Sequence, residues 1–223
     1  MRLCEALHIL PGVIAIIGGG GKTTLQLRLA EELKAQGRVI VCATAKIYPP
    51  IGIPTLLSPD ADEITAALQT HRVLCVGREE SEGKLTLPLS EISILTGLAD
   101  YVLVEADGSK GLPLKAHAPH EPVIPQEAAQ RILVMGIDGV GRPIREAAHR
   151  PQLYADILGT GLDHIITARD AAYVAAAEKL HDLIFINKVE TAMQHAQAKE
   201  LAANVTCPIV AGALQKEGEL CLL

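Results

Sequence analysis

Residues 13–33, VIAIIGGGGKTTLQLRLAEEL, place four consecutive glycines and a Lys-Thr-Thr run between an apolar segment and a helical pattern. The continuously apolar residues 13–17 predict a buried strand, and the apolar spacing after the glycines predicts a helix over about 23–36. A strand, a glycine-rich loop and a helix in this order are typical of a loop that binds phosphate groups. This stretch therefore sets the expected fold class.

The glycine loop meets the requirements of a phosphate group, because backbone N–H groups can approach without a Cβ and the next helix begins with a partial positive charge. Ile16 occupies the place of the first glycine in the common P-loop, so the motif is the shorter G-x-x-G-K-T-T form. Lys22 would reach the β- and γ-phosphates of ATP or GTP, and the Thr23 hydroxyl would ligate Mg²⁺. A glycine turn that only caps the helix is the alternative, but it would not require Lys-Thr-Thr. The residues expected at the phosphates are Gly18, Gly19, Gly20, Gly21, Lys22, Thr23 and Thr24.

The rest of the chain alternates short apolar runs with helical patterns. Further strands are predicted at 38–44, 72–77, 101–108, 131–137, 183–187 and 208–213. Thr167 and Asp170 have the spacing of a helix capping box. Because such apolar strands need cover on both faces and strand–helix alternation implies parallel pairing, we predict a three-layer α/β/α sandwich, P-loop NTPase-like, with a mostly parallel sheet. We expect a single domain over residues 1–223 with a helical insert around 138–162.

Two carboxylates end the strand in YVLVEADG, residues 101–108. Alternation along a strand points Glu105 and Asp107 to the same side. A magnesium–nucleotide site needs a carboxylate at the end of a neighbouring strand, where ligands of such sheets bind. We therefore expect Glu105 and Asp107 to act with Lys22 in catalysis and with Thr23 at Mg²⁺, in an order that the sequence leaves open. The alternative is a strand that merely ends in solvated acids.

Asn187, Lys188 and Glu190 follow the apolar run LIFIN, where GTP-binding proteins carry Asn-Lys-x-Asp. The carboxylate of that motif accepts hydrogen bonds from guanine N1–H and its amino group, which adenine cannot match. The longer Glu190 would need a displaced backbone or base, and an unpaired buried donor costs about 1–3 kcal/mol. These residues either bind the base or only turn the chain into the next helix, so ATP and GTP both stay open.

The segment 105–125 is rich in cations and prolines. Long ordered loops in compact domains are often functional, so we expect its cations beside the γ-phosphate. His117, His120 and Glu121 have spacing that a metal could use, although no further ligand follows at zinc spacing. The segment could also be an ordinary surface loop or a grip for an anionic substrate. The residues expected here as substrate or switch contacts are Lys110, Lys115, His117 and His120.

Composition argues against several classes of function. With 20 basic and 26 acidic residues and a pI of about 5.7, no nucleic-acid surface is expected. One Phe, four Tyr and no Trp leave few rings on which bases could stack. Five cysteines without a CxxC pair predict a reduced, cytoplasmic protein. No apolar run reaches the ~18 residues that span a bilayer, so no membrane location is expected.

Five segments together resemble the YqeC family of accessory proteins for selenium-dependent molybdenum hydroxylases. They are GGKTT at 20–24, ATAKIYPP at 43–50, VEADGSKGLPLKAHAPHEPVIP at 104–125, GIDGVGRPIREAAHRP at 136–151 and FINKVE at 185–190. The resemblance covers most of the chain, from about 13 to 213. It implies a P-loop NTPase-like protein that helps to make or insert the selenium-containing cofactor. It also implies a switch-like role for Thr44 and Lys46 near the phosphates, and places His149 and Arg150 in the helical insert.

Three functions follow from these observations. The first is a nucleoside triphosphate hydrolase, GTPase or ATPase, whose turnover switches its affinity for a protein client, either a molybdenum hydroxylase or a cofactor-synthesis protein. The second is an ATP-dependent small-molecule kinase or ligase, because the loop also resembles that of the Mur ligases, although 223 residues leave little room for their substrate domains. The third is a non-catalytic nucleotide sensor, against which the intact Lys22, Thr23, Glu105 and Asp107 argue.

The oligomeric state stays open, and a homodimer is one possibility because many nucleotide switches are dimers. We favour the first function, with in-line attack of water on the γ-phosphate.

Overall fold

In the computed structural model, which describes residues 1–216 and 220–223, the stretch 13–33 forms a strand, a glycine loop and a helix. The strands are β1 (Gly12–Gly18), β2 (Val39–Ala43), β3 (Thr55–Leu57), β4 (Val73–Glu79), β5 (Leu85–Thr86), β6 (Tyr101–Glu105), β7 (Leu114–Lys115), β8 (Ala128–Gly136), β9 (Ala148–His149), β10 (Leu183–Asn187), β11 (Ile209–Ala211) and β12 (Cys221–Leu222). The α-helices are α1 (Leu3–Ala6), α2 (Lys22–Leu33), α3 (Ala61–Thr70), α4 (Leu89–Leu95), α5 (Ile144–Ala147), α6 (Pro151–Leu158), α7 (Ala168–Glu178) and α8 (Ala192–Ala202). Short 3-10 helices lie at Ser81–Gly83 and Ile137–Gly139.

Within the described residues, ten strands form one sheet in the order β12-β11-β10-β8-β1-β6-β2-β4-β3, with β5 paired to β4. The pairings of β5 with β4 and of β12 with β11 are antiparallel, and the other pairings are parallel. Strand β1 lies between β6 and β8, so the glycine loop, Glu105 and Gly136 meet at one edge. Strands β7 and β9 form a separate parallel pair.

Helices cover both faces of the sheet. Ile14 and Ile16 of β1 pack into an apolar cluster with α1 and α2, whereas Val13 and Ile17 face the side covered by α3, α4 and α6–α8. Right-handed crossovers explain this division, because the chain moves one way along the sheet from β1 to β2 and the other way from β10 to β11. The predicted three-layer α/β/α fold with a mostly parallel sheet is confirmed.

Several short elements differ from the prediction. The sequence did not predict β3, α4 or the pairing of β7 with β9, which joins residues more than thirty positions apart. The region 138–162, predicted as a helical insert, contains α5, β9 and α6. No helix among the described residues is long and apolar enough to cross a bilayer.

Candidate functional site

The glycine loop is packed so tightly that side chains have no room. Gly20 has a φ of +74°, and a Cβ there would lie 2.2 Å from the backbone nitrogen of Gly136. Gly21 has a φ of +125°, and its Cβ would lie 2.5 Å from Nδ2 of Asn187. The neighbouring strand ends and loops therefore fix the course of the backbone between β1 and α2.

The amides that face outward from this loop are those of residues 21–24. The amides of Gly18, Gly19 and Gly20 already donate within the protein, to Asp107 Oδ2 at 2.9 Å and to the carbonyls of Val134 and Leu112 at 3.0 Å. The first hydrogen bond of α2 runs from Leu25 N to Gly21 O, and none of the amides of 21–24 has an acceptor among the described residues. Four free donors at a helix N-terminus form a ready anion site. The amides of Gly18, Gly19 and Gly20 donate within the protein here, and their expected contact with phosphates stays a prediction.

Lys22 is the first residue of α2, beside these outward-facing amides, and it is buried with 4% of its surface exposed. Its Nζ donates to Gly18 O at 2.7 Å and lies 3.1 Å from Asp107 Oδ1 and 3.6 Å from Glu105 Oε1. The Thr23 hydroxyl donates to Glu105 Oε2 at 2.7 Å. Contacts of Lys22 with both carboxylates, and of Thr23 with Glu105, thus connect the four residues predicted for catalysis and Mg²⁺.

The two carboxylates have pKa values shifted in opposite directions. For Asp107, burial raises the pKa, but the hydrogen bond from His117 and the charges of Lys22 and Lys115 outweigh it and lower the pKa to about 2. For Glu105, burial dominates over the charge of Lys22 and raises the pKa. Asp107 is therefore the permanently ionised member of the pair.

Behind Asp107 lies a group of buried polar side chains. Its Oδ2 accepts from His117 Nε2 at 2.6 Å and lies 3.3 Å from Lys115 Nζ. The second ring nitrogen of His117, Nδ1, lies 2.8 Å from Glu178 Oε2 at the end of α7. Lys115 also donates to Glu121 Oε2 at 2.9 Å. The side chains of Lys115 and His117, predicted beside the γ-phosphate, are buried here and contact Asp107.

Towards the surface the group continues through Glu121 to Arg150 and His120. Glu121 pairs with Arg150, and the two cations Arg150 and Lys115 outweigh burial and lower the Glu121 pKa to about 2. Arg150 Nη2 lies 3.1 Å from His120 Nε2. Burial, together with the charges of Lys115 and Arg150, lowers the pKa of His149. In this part of the site Arg150 is partly exposed and its charge is paired with Glu121.

The remaining predicted switch residues have different partners. Thr44 is tied to the site, since its amide donates to Glu105 O at 3.1 Å and its hydroxyl to Val123 O at 2.7 Å. The exposed Lys46 instead pairs with Glu80 at 3.0 Å. Lys110 is exposed, has a φ of +51°, and follows Ser109, whose hydroxyl lies 3.3 Å from Lys22 Nζ.

A cleft of about 200 Å³ opens beside the glycine loop, and the residues of the NKVE motif line it. Asn187 is buried and donates from Nδ2 to Gly20 O at 2.7 Å, so it holds the glycine loop. Lys188 pairs with Asp138 at 2.8 Å, and Glu190 pairs with Lys216. The cleft wall includes Gly20, Gly21, Thr24, Gly111, Asn187, Lys188, Glu190, Ala213, Leu214 and Gln215.

Comparison with known proteins identifies the family. A model of the YqeC protein family matches residues 14–152, more than half of the chain. The chain belongs to the YqeC family. It is also 34% identical over 168 residues to a protein of Escherichia coli (strain K12) named Uncharacterized protein YqeC, covering 72% of this chain and 66% of that relative, slightly under two thirds of its length. The YqeC family match includes the glycine loop, Glu105 and Asp107, but ends before Asn187.

In this YqeC-family chain, one set of oxygens fits a magnesium ion. Asp107 Oδ1 is buried and has no hydrogen-bond partner among the described residues, although Lys22 lies beside it. The Thr23 hydroxyl and Glu105 are the further oxygen donors, and such a set suits Mg²⁺. For zinc the fit is poor, because both ring nitrogens of His117 are engaged by carboxylates and the described residues contain no group of three or more His, Cys, Asp or Glu side chains that could hold an ion.

Sequence reasoning missed two residues of this site. Ser109 contacts Lys22 and lies in the DGSKG segment that was already predicted to be functional, so the sequence could have indicated it. Glu178 lies about seventy residues after Asp107 in a helix of ordinary amphipathic pattern, and no local signal points to it. Only the packing of α7 against the sheet brings it to His117.

Proposed function

We propose that this protein binds and hydrolyses a nucleoside triphosphate with Mg²⁺. The observation that carries the proposal is the convergence of the four amides at 21–24, which have no acceptor within residues 1–216 and 220–223, with Lys22, Thr23 and Asp107 at one strand edge. Amides and a lysine suit phosphate oxygens, and Asp107 Oδ1 with the Thr23 hydroxyl suits Mg²⁺. Bound Mg²⁺ would neutralise charge that develops on the phosphates.

The chain's own residues would position the reacting groups. Lys22 would exchange its contact with Asp107 for phosphate oxygens and stabilise the charge that spreads over the γ-phosphoryl group. A water oxygen would bond to the γ-phosphorus while the bond to the bridging oxygen breaks and inorganic phosphate and the diphosphate leave. Ser109, next to Lys22, borders the same space.

We further propose that the base is guanine. Asn187 fixes the glycine loop and Glu190 stands at the wall of the adjoining cleft. A carboxylate accepts from guanine N1–H and its amino group, whereas adenine offers an acceptor at N1. Glu190 would have to exchange Lys216 for the base, and this exchange lowers the discrimination expected between GTP and ATP.

The biological role that we propose is that of an accessory protein in the maturation of a selenium-dependent molybdenum hydroxylase or its cofactor. This role rests on the family resemblance. The contacts of Thr44 support a switch. Thr44 donates hydrogen bonds to the carbonyls of Glu105 and Val123, so a movement of Glu105 when the phosphates bind or leave would also move Thr44. A small-molecule kinase or ligase is the second candidate, favoured by the partly exposed Arg150, which would exchange its pairing with Glu121 for an anionic substrate.

Release of inorganic phosphate from Mg·GTP and Mg·ATP tests the proposed activity. The unmodified protein should turn over slowly, and Lys22→Ala should abolish turnover. Lys179→Ala, an exposed lysine at the end of α7, is the matched control and should leave the rate unchanged. Equal turnover in Lys22→Ala would remove the hydrolase proposal, and stoichiometric phosphorylation of an added small molecule would replace it by the kinase.

A further inference from the structure

Three buried side chains form a continuous line of hydrogen bonds from α7 to the glycine loop. Glu178 Oε2 lies 2.8 Å from His117 Nδ1, and His117 Nε2 lies 2.6 Å from Asp107 Oδ2. The side chains of Asp107, His117 and Glu178 are 0%, 2% and 10% exposed. Glu178 Oε1 also accepts from the backbone amide of His117 at 2.6 Å, so it holds both the ring and the backbone of that residue.

This line occupies one oxygen of Asp107, Oδ2, with several contacts and leaves the other, Oδ1, with the ion pair to Lys22. Oδ2 receives His117 Nε2 and the Gly18 amide, and Lys115 Nζ lies 3.3 Å away. Oδ1 is buried beside Lys22 and has no hydrogen-bond partner among residues 1–216 and 220–223. The carboxylate therefore cannot rotate without breaking its contacts at Oδ2.

We propose that Glu178 and His117 are positioning residues that present Asp107 Oδ1 to the magnesium ion of the bound nucleotide. The inference rests on the proposed function, and it extends the site to α7. A ligating carboxylate needs partners that fix its orientation, and loss of such a partner commonly weakens metal affinity by about 10–100-fold. Burial lowers the pKa of His117, but its hydrogen bonds to Asp107 and Glu178 outweigh burial and raise it, consistent with a ring that donates to both carboxylates.

The helix offers a matched comparison at its opposite end. His164 Nε2 lies 2.9 Å from Asp170 Oδ2, so it forms a second histidine–carboxylate pair on the first turn of α7. Among the described residues, the ring of His164 pairs with Asp170 and not with Asp107 or Lys22. If the effect of Glu178 were only to stabilise α7, both pairs would matter equally to the nucleotide site.

The test measures how much Mg²⁺ is needed for GTP binding in the full chain. We would titrate Mg²⁺ by calorimetry into the unmodified protein with GTP present, and into Glu178→Gln, His117→Gln and His164→Gln. Glu178→Gln and His117→Gln should each need about 10-fold more Mg²⁺ for half-maximal binding. Their affinity for GTP without Mg²⁺ should be unchanged, because the amides and Lys22 remain. His164→Gln should behave as the unmodified protein.

Two results would overturn the inference. An unchanged Mg²⁺ requirement in both variants, in a protein that does bind GTP, would sink the positioning role and leave the proposed function intact. Absence of GTP and ATP binding in the unmodified protein would remove both. Thermal unfolding checks that each variant folds, and if His117→Gln does not, the size-conserving Glu178→Gln carries the test.

Discussion

At the scale of single residues, Gly20 shows what the glycine loop requires. Replacing it with Ala places a Cβ at 2.2 Å from Gly136 N, which is backbone and cannot give way, and forces Ala to a φ of +74°. The positive φ costs roughly 1–2 kcal/mol and overpacking adds about 1–3 kcal/mol. Gly20→Ala should lower the free energy of unfolding by both amounts and abolish nucleotide binding.

Gly141→Ala is the control for this prediction. Gly141 has a φ of +86°, but a Cβ there would meet nothing within 4 Å. Its replacement should cost only the backbone part, roughly 1–2 kcal/mol, and leave nucleotide binding intact. Denaturant unfolding compares the two variants. Equal losses of stability would show that the contact with Gly136 is unimportant.

Lys110 is a second residue with a specific prediction. It is exposed and lies between Ser109, which contacts Lys22, and Gly111, which lines the cleft. Its φ of +51° is a conformation that is costly for residues with a Cβ and is found at functional sites. We expect its ammonium to stabilise the phosphates in the transition state, so Lys110→Ala should lower kcat by about 10-fold or more with little change in GTP affinity.

Lys179 offers the comparison for Lys110, because it is also exposed and has a φ of +54°. Lys179→Ala should leave kcat unchanged in the same phosphate-release assay. A normal kcat in Lys110→Ala would show that this lysine does not reach the phosphates.

A short motif was enough to predict which of the site residues lie together, whereas their roles at a nucleotide stay a prediction. Lys22, Thr23, Glu105 and Asp107 were expected together, and the fold brings them into contact. Glu178 could not be expected, because its role depends on where α7 packs and not on its neighbours in sequence.

At the scale of elements, Tyr154 of α6 tests the packing under the sheet. Its side chain is 1% exposed, and its hydroxyl has no hydrogen-bond partner among the described residues. A buried hydroxyl without a partner is costly, and burial raises the pKa of this group. Tyr154→Phe should therefore raise the free energy of unfolding by about 1 kcal/mol in denaturant titration.

Tyr173→Phe is the control, because Tyr173 is an exposed side chain of α7, and it should leave the free energy of unfolding unchanged. A loss of stability in Tyr154→Phe would reveal a hydrogen-bond partner for the Tyr154 hydroxyl.

Elements with strong local signals were predicted well. The Thr167–Asp170 capping box begins α7 as expected, because its hydrogen bonds lie within one turn. The pair β7–β9 was missed, since two residues of each strand carry no periodic pattern and their partners are far apart in sequence. The short strand β3 and helix α4 fall in the same category.

At the scale of the whole molecule, the buried ion pairs predict acid sensitivity. The pKa of Asp107 falls from 3.8 to about 2 and that of Glu121 from 4.5 to about 2, because their cationic partners outweigh burial. Unfolding in acid therefore takes up protons, so this stability is complete above pH about 4.5 and is lost as the pH falls towards 2. Glu105 has a raised pKa, so its contribution to the free energy of unfolding falls as the pH rises.

Denaturant unfolding at a series of pH values measures this effect. In the Glu121→Gln variant the fall in stability over the acid range should be shallower than in the unmodified protein, since one of the two carboxylates no longer titrates. A parallel fall in both proteins would mean that Glu121 titrates normally when folded.

At this scale, the alternation of strands and helices was the sequence pattern that predicted most of the fold. Apolar strands alternating with helices predicted a parallel sheet, and a parallel sheet predicted that the ends of β1, β6 and β10 would supply one site. The strand order and the antiparallel β12 depend on contacts between distant segments, and no pattern within a segment encodes them.

The proposed function requires that GGGGKTT holds the phosphates of a nucleotide. Calorimetric titration of the purified protein with Mg·GTP and Mg·ATP, repeated with Lys22→Ala, measures this binding. We predict binding of both nucleotides, tighter for GTP, and loss of binding in the variant. Tighter binding of ATP would contradict the role of Glu190 in selecting guanine, and binding of neither nucleotide, or equal binding by Lys22→Ala, would contradict the phosphate site itself.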